Sequence, residues 1–361
     1  MTKQSLKPKS ALIKCLNLGE YMKKAVIAMS GGVDSSVAAL LMKNEGYSIV
    51  GATMQLYIEG DCSDAKAVAD KLGMPFYIFP LKEEFKKQVI DKFIECYENG
   101  KTPNPCVECN RTLKFGAMID KMHELDADFV VTGHYARVVC ENGEYKLKKA
   151  VDESKDQSYF LYMLTQEQLK HIKFPLGEYT KPEIREIAEE NDLITARKKD
   201  SQDICFVPDG DYVKFIKNYN NKDYPKGQFI HKTGFSFGEH KGIVNYTIGQ
   251  RKGLGIAYKN PLYVLNIDPE TNNVILGDNE DLFTDTVVAK NVNIISGKPI
   301  TEPIRVLARI RYRHKEQPAT AWQDENGLLY VKFDEPQRAI TKGQSLVIFD
   351  GDEVLGGGEI I

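Results

Sequence analysis

Apolar and polar positions alternate along this chain in two different ways. Through the first two hundred residues, short apolar runs separate stretches with helical spacing. Residues 25–29 read as a β-rich strand and 37–45 as a helix. Residues 48–56 predict a second strand, 64–72 a helix, and 75–80 a third strand. Residues 83–97 have the pattern of a long amphipathic helix. After a loop, residues 113–125 predict a helix, and 129–132 a short strand ending at Gly133-His134. Helical spacing returns at 166–171 and 181–191. Strand–helix alternation of this kind predicts an α/β domain: a doubly wound parallel sheet with helices on both faces. Ligands of such sheets sit at the carboxyl ends of the strands. Residues 30–36, Met54 and Gly133-His134 therefore share one rim.

The pattern changes after about residue 209. Glycine and aromatic β-formers rise, and long helical periodicity disappears. From Gly227 onward short strands alternate with turns such as residues 268–273. Residues 286–292, 304–312, 319–322, 328–333 and 345–349 predict the strands of a C-terminal β-barrel. The expected division is an extension at 1–23, an α/β domain at 24–208, a small mostly β central domain at 209–284 and the barrel at 285–361. There is no internal repeat and no low-complexity tract.

Composition adds bounds. A chain of 361 residues has room for two or three domains, each with its own core. Its 42% hydrophobic and 27% charged residues describe a globular protein. The net charge of −3 carries no global nucleic-acid signature, so any such role rests on local basic patches. No apolar run is long enough to span a membrane. Seven cysteines, an odd number without a secretory signal, suggest reduced thiols and a cytoplasmic location. The first 23 residues hold Lys3, Lys7, Lys9, Lys14 and Lys23 against one acid, Glu20. Either this is a disordered tail or translation starts at Met22.

The run Ser30-Gly31-Gly32-Val33-Asp34-Ser35-Ser36 lies between a predicted strand and a predicted helix. Unpaired amides and the helix dipole favour a phosphate there, and the glycines let backbone approach it. Ser30, Ser35 and Ser36 can add hydroxyl donors, and Asp34 can help hold Mg²⁺. It is not a Walker A loop, because no Gly-Lys-Ser/Thr follows. A second motif is Thr102-Pro103-Asn104-Pro105-Cys106-Val107-Glu108-Cys109-Asn110, read as an extended, rigid loop set by its prolines. Its Cys-x-x-Cys is half a zinc site with Cys62 as a further ligand, a redox pair, or one partner of a distant thiol. Residues 198–206 supply that thiol, Cys205, with Arg197, Lys198 and Lys199 upstream to favour the thiolate. Against this stands a buried structural cysteine between Ile204 and Phe206.

Four further stretches carry weaker signals. His134 can contact phosphate or move a proton, or be merely hydrogen-bonded structure. Lys155-Asp156-Gln157 is an RNA-backbone contact or a helix cap. Residues 247–255 are glycine-rich and basic, a binding loop or a solvated turn. Arg309, Arg311 and Arg313, if on a strand, face one side beside Tyr312, which can stack on a base.

Taken in order, these motifs resemble one family: the tRNA-specific 2-thiouridylases, the MnmA family of ATP pyrophosphatase-loop enzymes. The match runs from about residue 24 to 358 and includes residues 30–36, 104–110, 133–135, 155–161, 200–206, 249–255, 311–312 and 343–345. The resemblance implies an N-terminal ATP pyrophosphatase (HUP-like) domain and an ATP-dependent tRNA sulfurtransferase. Adenylation of the wobble uridine 2-carbonyl oxygen (position 34) makes AMP the leaving group, with Mg²⁺ assisting. Persulfide sulfur then gives 2-thiouridine. By the same resemblance Cys109 is the nucleophile and Cys205 the persulfide carrier, and the two end as a disulfide. Ala28, Met29, Ser30, Gly31, Gly32, Val33, Asp34, Ser35, Met54 and Gly133 bind ATP. Asn104, Pro105 and Cys106 contact the target base. Lys155, Asp156, Gln157, Arg311 and Tyr312 contact tRNA, His134 and Gln344 position or discriminate it, and the central β-rich domain at 209–284 is implied to contact tRNA as well.

The implied partners are tRNAs for lysine, glutamate and glutamine and a persulfide donor such as a cysteine desulfurase or relay protein. No membrane partner is expected, and the chain is expected to be a monomer. One departure stands out: many family members have aspartate where this chain has Cys106, so that residue's proton-transfer role lies elsewhere or falls to a thiol. Two other classes stay open on residues alone. A small-molecule ligase shares the loop but has no need of two separated cysteines, and an RNA-binding module leaves the loop unexplained.

Overall fold

A computed structural model describes residues 22–56, 62–198 and 204–361. The readings of residues 1–21, and of Lys199, Asp200, Ser201, Gln202 and Asp203, lie outside the described residues. The chain divides into two compact units, residues 22–82 with 110–198 and residues 83–109 with 204–361.

The first unit is built on a parallel sheet. Its strands are β1 (Lys24–Ala28), β2 (Ser48–Gln55), β3 (Phe76–Pro80), β4 (Phe129–Val131) and the short Ile172–Lys173. The order is β3-β2-β1-β4 and then Ile172–Lys173, with every pairing parallel. The three middle residues of β1 are buried, as a central strand covered on both faces requires. Helix α1 (Val33–Asn44) lays Val37, Ala38 and Met42 into the core shared with Ile184, Ile187 and Ala188 of helix Lys181–Glu190. Strand order reverses between β1 and β4, which makes their carboxyl ends the switch point where ligands bind.

A hairpin, Ala136–Glu141 with Glu144–Lys149, was not expected. Its signal is present in the sequence: Asn142-Gly143, both at positive φ (53° and 85°), is the Asn-Gly turn of tight hairpins.

The second unit begins at Glu83, within the helical stretch Lys82–Phe85, which runs on into Lys86–Ile90, a π turn, and Asp91–Glu98. Helix Tyr212–Asn220 was hidden by the β-rich composition around it. Its apolar residues Tyr212, Phe215, Ile216 and Tyr219 nevertheless keep helical spacing, and Asp211 caps it through Lys214 N–H at 2.9 Å. Strands Gly227–His231, Ser236–His240, Tyr263–Asp268 and Asn273–Gly277 form a four-stranded sheet.

Strands Phe283–Ile294, Ile304–Arg309, Gln317–Gln323, Leu329–Arg338, Ser345–Asp350 and Glu353–Ile360 follow. They close into a six-stranded barrel through pairing of the first with the last. Leu329, Val331 and Phe333 alternate inward with Ala319, Ala321 and Ile348 to fill it. The last strand carries a weak β signal in the sequence because of Gly356, Gly357 and Gly358. A Cβ on Gly358 would stand 2.7 Å from Lys290 O, so close strand passage needs glycine there.

Candidate active site

In the first unit, β1 delivers the chain to a tight loop and then to the N-terminus of α1. Gly31 takes φ +71°, open to glycine at no cost. Gly32 occupies the N-cap without a side-chain cap, so the first-turn amides of α1 keep their anion-binding character. Two of the three serine hydroxyls are engaged inside the loop, while Ser30 is exposed. Ser35 Oγ and Ser36 Oγ both donate to Gly32 O, at 3.1 and 2.9 Å, and Ser30 N–H donates to Ser35 Oγ at 3.2 Å. Ser36 is fully buried. The Ser35 and Ser36 hydroxyls thus hold the shape of the loop, and backbone amides with the exposed Ser30 face outward from it.

Gly133, after β4, abuts this loop. A Cβ there would stand 2.8 Å from Ser35 N, so only glycine allows the approach. Met54 lies at the end of β2, paired in register with Phe79. Thr53 Oγ1 donates to Met29 O at 2.8 Å, tying β2 to the start of the loop.

Asp34 is not the metal holder foreseen. The Lys181 ammonium lies 2.7 Å from Asp34 Oδ1 and 2.8 Å from Oδ2, and Tyr135 Oη donates to Oδ1 at 2.8 Å. Lys181 is buried at the first position of its helix, fixed by Thr180 N–H donating to Glu183 Oε2 and by its own N–H on Asp152. This carboxylate already has a cation, and the arrangement does not fit a metal held by Asp34. Sequence reasoning missed Lys181 because it lies 147 residues away. Lys198 likewise places its ammonium on Asp64 and on Gly31 O at 3.0 Å, so it braces the glycine loop.

His134 is buried between the rings of Phe115 and Phe174, with Nδ1 2.7 Å from Thr132 Oγ1. Burial, with the charge of Lys114, holds its pKa well below the usual histidine range. It is neutral at physiological pH and brings no charge to a phosphate. Asp156 is also inside. Its carboxylate accepts from Ala150 N–H, Ser158 N–H and Ser158 Oγ–H, bracing the turn ahead of the 3-10 stretch Ser158–Leu161, whose N-cap is Gln157 without a side-chain cap. Gln157 Oε1 accepts from Tyr135 N–H at 3.0 Å, and Lys155 is half-buried.

The second unit carries both candidate cysteines. The segment read as a rigid loop is extended only to Asn104. Pro105 opens a helical turn, Pro105–Cys109, because its fixed φ and missing N–H suit a first helical position. Cys109 ends that turn, 7% exposed, while Cys106 is exposed. A π-helical stretch, Asn110–Ala117, follows directly. Such widened turns are frequent at functional sites.

The barrel holds the strap before this turn. Gln344 Nε2 donates to Thr102 O at 2.9 Å and Pro103 O at 3.2 Å, and Thr102 N–H donates to Lys342 O. Cys205 lies exposed on a short turn. Its neighbour Phe206 is buried against Phe85, Phe93 and Phe215 with ring centroids 5.2–5.7 Å apart. An anchored aromatic thus presents an exposed thiol. Among the described residues, no three His, Cys, Asp or Glu side chains are arranged to hold a metal ion.

Arg309, Arg311 and Arg313 do not make one basic strand face. The strand stops at Arg309, which pairs with Glu316 at 2.7 Å and lies over the Phe349 ring. Arg311 Nη2 donates to Ala339 O and Thr341 Oγ1, and Tyr312 lies in the turn beyond.

A parallel sheet with a glycine loop at its switch point, followed by a barrel, defines a HUP-domain nucleotide-binding protein with appended β domains. Family comparison agrees. Residues 23–209 match the tRNA methyl transferase HUP domain, 213–278 the tRNA methyl transferase PRC-barrel domain, and 284–360 the aminomethyltransferase beta-barrel domain. The tRNA-specific 2-thiouridylase MnmA of Clostridioides difficile strain 630 is 50% identical over 353 residues, covering 94% of this chain and 98% of that protein. Its namesakes in Clostridium acetobutylicum and Acetivibrio thermocellus are 49% and 47% identical, each covering 94% of this chain and 99% of the relative. The chain belongs to the tRNA-specific 2-thiouridylase MnmA family.

Proposed function

We propose that this chain is an ATP-dependent tRNA 2-thiouridylase acting on the wobble uridine. The observation that carries the reading is the pairing of two chemistries in one family fold. One unit holds a phosphate-shaped loop at the switch point, and the other holds a buried Cys109 and an exposed Cys205. A uracil carbonyl oxygen leaves poorly. Attack of that oxygen on the α-phosphorus of ATP expels pyrophosphate and makes AMP the leaving group. First-turn amides of α1 and the Gly31–Gly32 backbone take the phosphates. Residues 28–35, Met54 and Gly133 form the ATP set. Mg²⁺, if bound, would be held by the ATP phosphates rather than by Asp34, and would supply charge neutralisation there.

Cys205 carries a persulfide from an external donor, and its exposure suits that loading. In one route the Cys109 thiolate attacks Cys205 Sγ and hydrosulfide leaves to add at the activated carbon. In the other, the terminal persulfide sulfur adds to that carbon and Cys109 then attacks Cys205 Sγ, leaving the sulfur on the base. AMP departs in both. Both end in a Cys109–Cys205 disulfide, which an external dithiol must reduce by two electrons.

Asn104, Pro105 and Cys106 serve the base, and Lys155, Gln157, Arg311, Tyr312 and Gln344 serve tRNA directly or by holding the strap. His134 and Asp156 act by shaping their loops. The three family matches support the division at residues 208/209 and 284/285, and the substrates are tRNAs for lysine, glutamate and glutamine. The setting is cytoplasmic and the enzyme is a monomer. No described helix is long and apolar enough to cross a membrane.

The test is nucleoside mass spectrometry of unmodified tRNA incubated with the protein, ATP and a persulfide donor. The reading requires 2-thiouridine with AMP and pyrophosphate in step; ATP turnover that ignores tRNA overturns it.

A further inference from the structure

We propose that one exposed face of the second unit, residues 231–237 with 251–262, docks an RNA strand of the tRNA at a place additional to the cysteine-bearing segment. This rests on the thiolase reading and extends it to the residues that hold the tRNA body. Phe235 is 62% exposed and Tyr258 43%, both far more than large rings usually are. They belong to one cluster. The Phe235 and Phe237 centroids are 5.1 Å apart, Phe237 and Tyr258 5.2 Å, and His231 lies 6.1 Å from Tyr258. A contiguous exposed aromatic patch on a folded unit marks an interaction surface.

Charge says what kind. From Lys241 through Ile267 the chain has four cations and no acid, within a protein of net charge −3. Lys226 and Lys232, nearby in sequence, are paired with Glu239 and with Asp278 and Asp281. Arg251, Lys252 and Lys259 are exposed and have no ion-pair partner among the described residues. A shallow concavity of about 620 Å³, lined by Arg251, Leu254, Tyr258 and Lys259, lies within this segment. Gly253 and Gly255 turn there at φ +80° and +70°, and nothing lies within 4 Å of a Cβ on Gly255, so backbone is open to a ligand. The loop is rooted: Leu254 and Ile256 pack on the core of the sheet beneath. An acidic protein surface would need the cations and not the bare ring faces. Unstacked nucleotides need both, with bases on the rings and phosphates on the cations.

The experiment measures binding of unmodified tRNA by fluorescence anisotropy at two salt concentrations. It compares wild type, R251A/K252A/K259A and F235A/Y258A, all surface changes. The charge variant is expected to bind about 10- to 100-fold more weakly, with a salt slope reduced by about 2 to 3. The aromatic variant is expected to lose about tenfold at both salts, with its slope unchanged. ATP binding stays at the wild-type level in both. Wild-type tRNA affinity in both variants overturns the proposal. Variants that bind tRNA normally but accept sulfur poorly from a donor protein also overturn it, in favour of a protein partner. A wild-type chain that binds tRNA and makes no 2-thiouridine overturns the thiolase reading and leaves the surface standing; one that binds no tRNA overturns both.

Discussion

The ammonium of Lys181 rests on both oxygens of the Asp34 carboxylate, at 2.7 and 2.8 Å, beside the loop that faces the phosphates. A bare carboxylate in the first turn of α1 would repel a triphosphate, and the lysine removes that penalty. Lys181 has a side chain 9% exposed, so K181M leaves Asp34 with only Tyr135 Oη. Because Asp34 is about one-third exposed, solvent repays part of the loss, and the expected destabilisation is about 2 kcal/mol. ATP affinity should fall at least about tenfold. D34N should weaken ATP binding less, and the D34N/K181M double variant should bind better than the two single losses sum to. Titration calorimetry and urea unfolding of all four proteins check this. Additive losses would show that the two residues act independently.

The cysteines divide the reaction from its activation. C109S and C205S should each abolish 2-thiouridine formation while leaving ATP affinity at the wild-type level, because neither belongs to the nucleotide loop. Intact mass after incubation with a persulfide donor adds the assignment. C109S should retain a +32 Da sulfur adduct, the mass of one sulfur atom, and C205S should retain none. Full thiolation by either variant removes the two-cysteine mechanism.

Much of this was legible in the residues, and the failures have physical causes. The glycine loop, the parallel strands and the carboxyl-end rim follow from local periodicity and turn chemistry, and they stand as expected. The Asp34 partner could not be read, since the fold brings Lys181 to it across 147 residues. Prolines at 103 and 105 looked like breakers, yet Pro105 starts a helix because a first helical position needs no N–H. Arg309, Arg311 and Arg313 do not share one strand face, because the strand ends at Arg309, and Arg309 and Arg311 take partners within the barrel.

His134 gives a pH test with a defined sign. Its folded pKa is depressed by burial, so the unfolded chain binds the extra proton. The contribution is fully present above the unfolded pKa of about 6.5 and is lost as pH falls below it. The slope approaches about 1.4 kcal/mol per pH unit until the folded pKa is reached. H134Q should lower stability at pH 7.5 and flatten the acid limb relative to wild type. Urea midpoints from pH 5 to 8 provide the measurement. Parallel curves would mean that His134 keeps an ordinary pKa.

Gln344 ties the barrel to the strap that leads into the Cys109 turn, through two carbonyls of one dipeptide. Q344A removes both donors but leaves Thr102 N–H on Lys342 O, so the strap loosens without detaching. Each lost hydrogen bond is worth about 1 kcal/mol, giving a modest fall in stability. The larger effect should be on thiolation. A cysteine displaced by even about 1 Å from its productive position costs on the order of 100-fold in rate. The expected signature is kcat down at least about tenfold, ATP affinity unchanged, and partial recovery in Q344N only if the shorter amide still reaches Thr102 O. A change confined to tRNA KM would instead assign Gln344 to the tRNA itself and not to the strap.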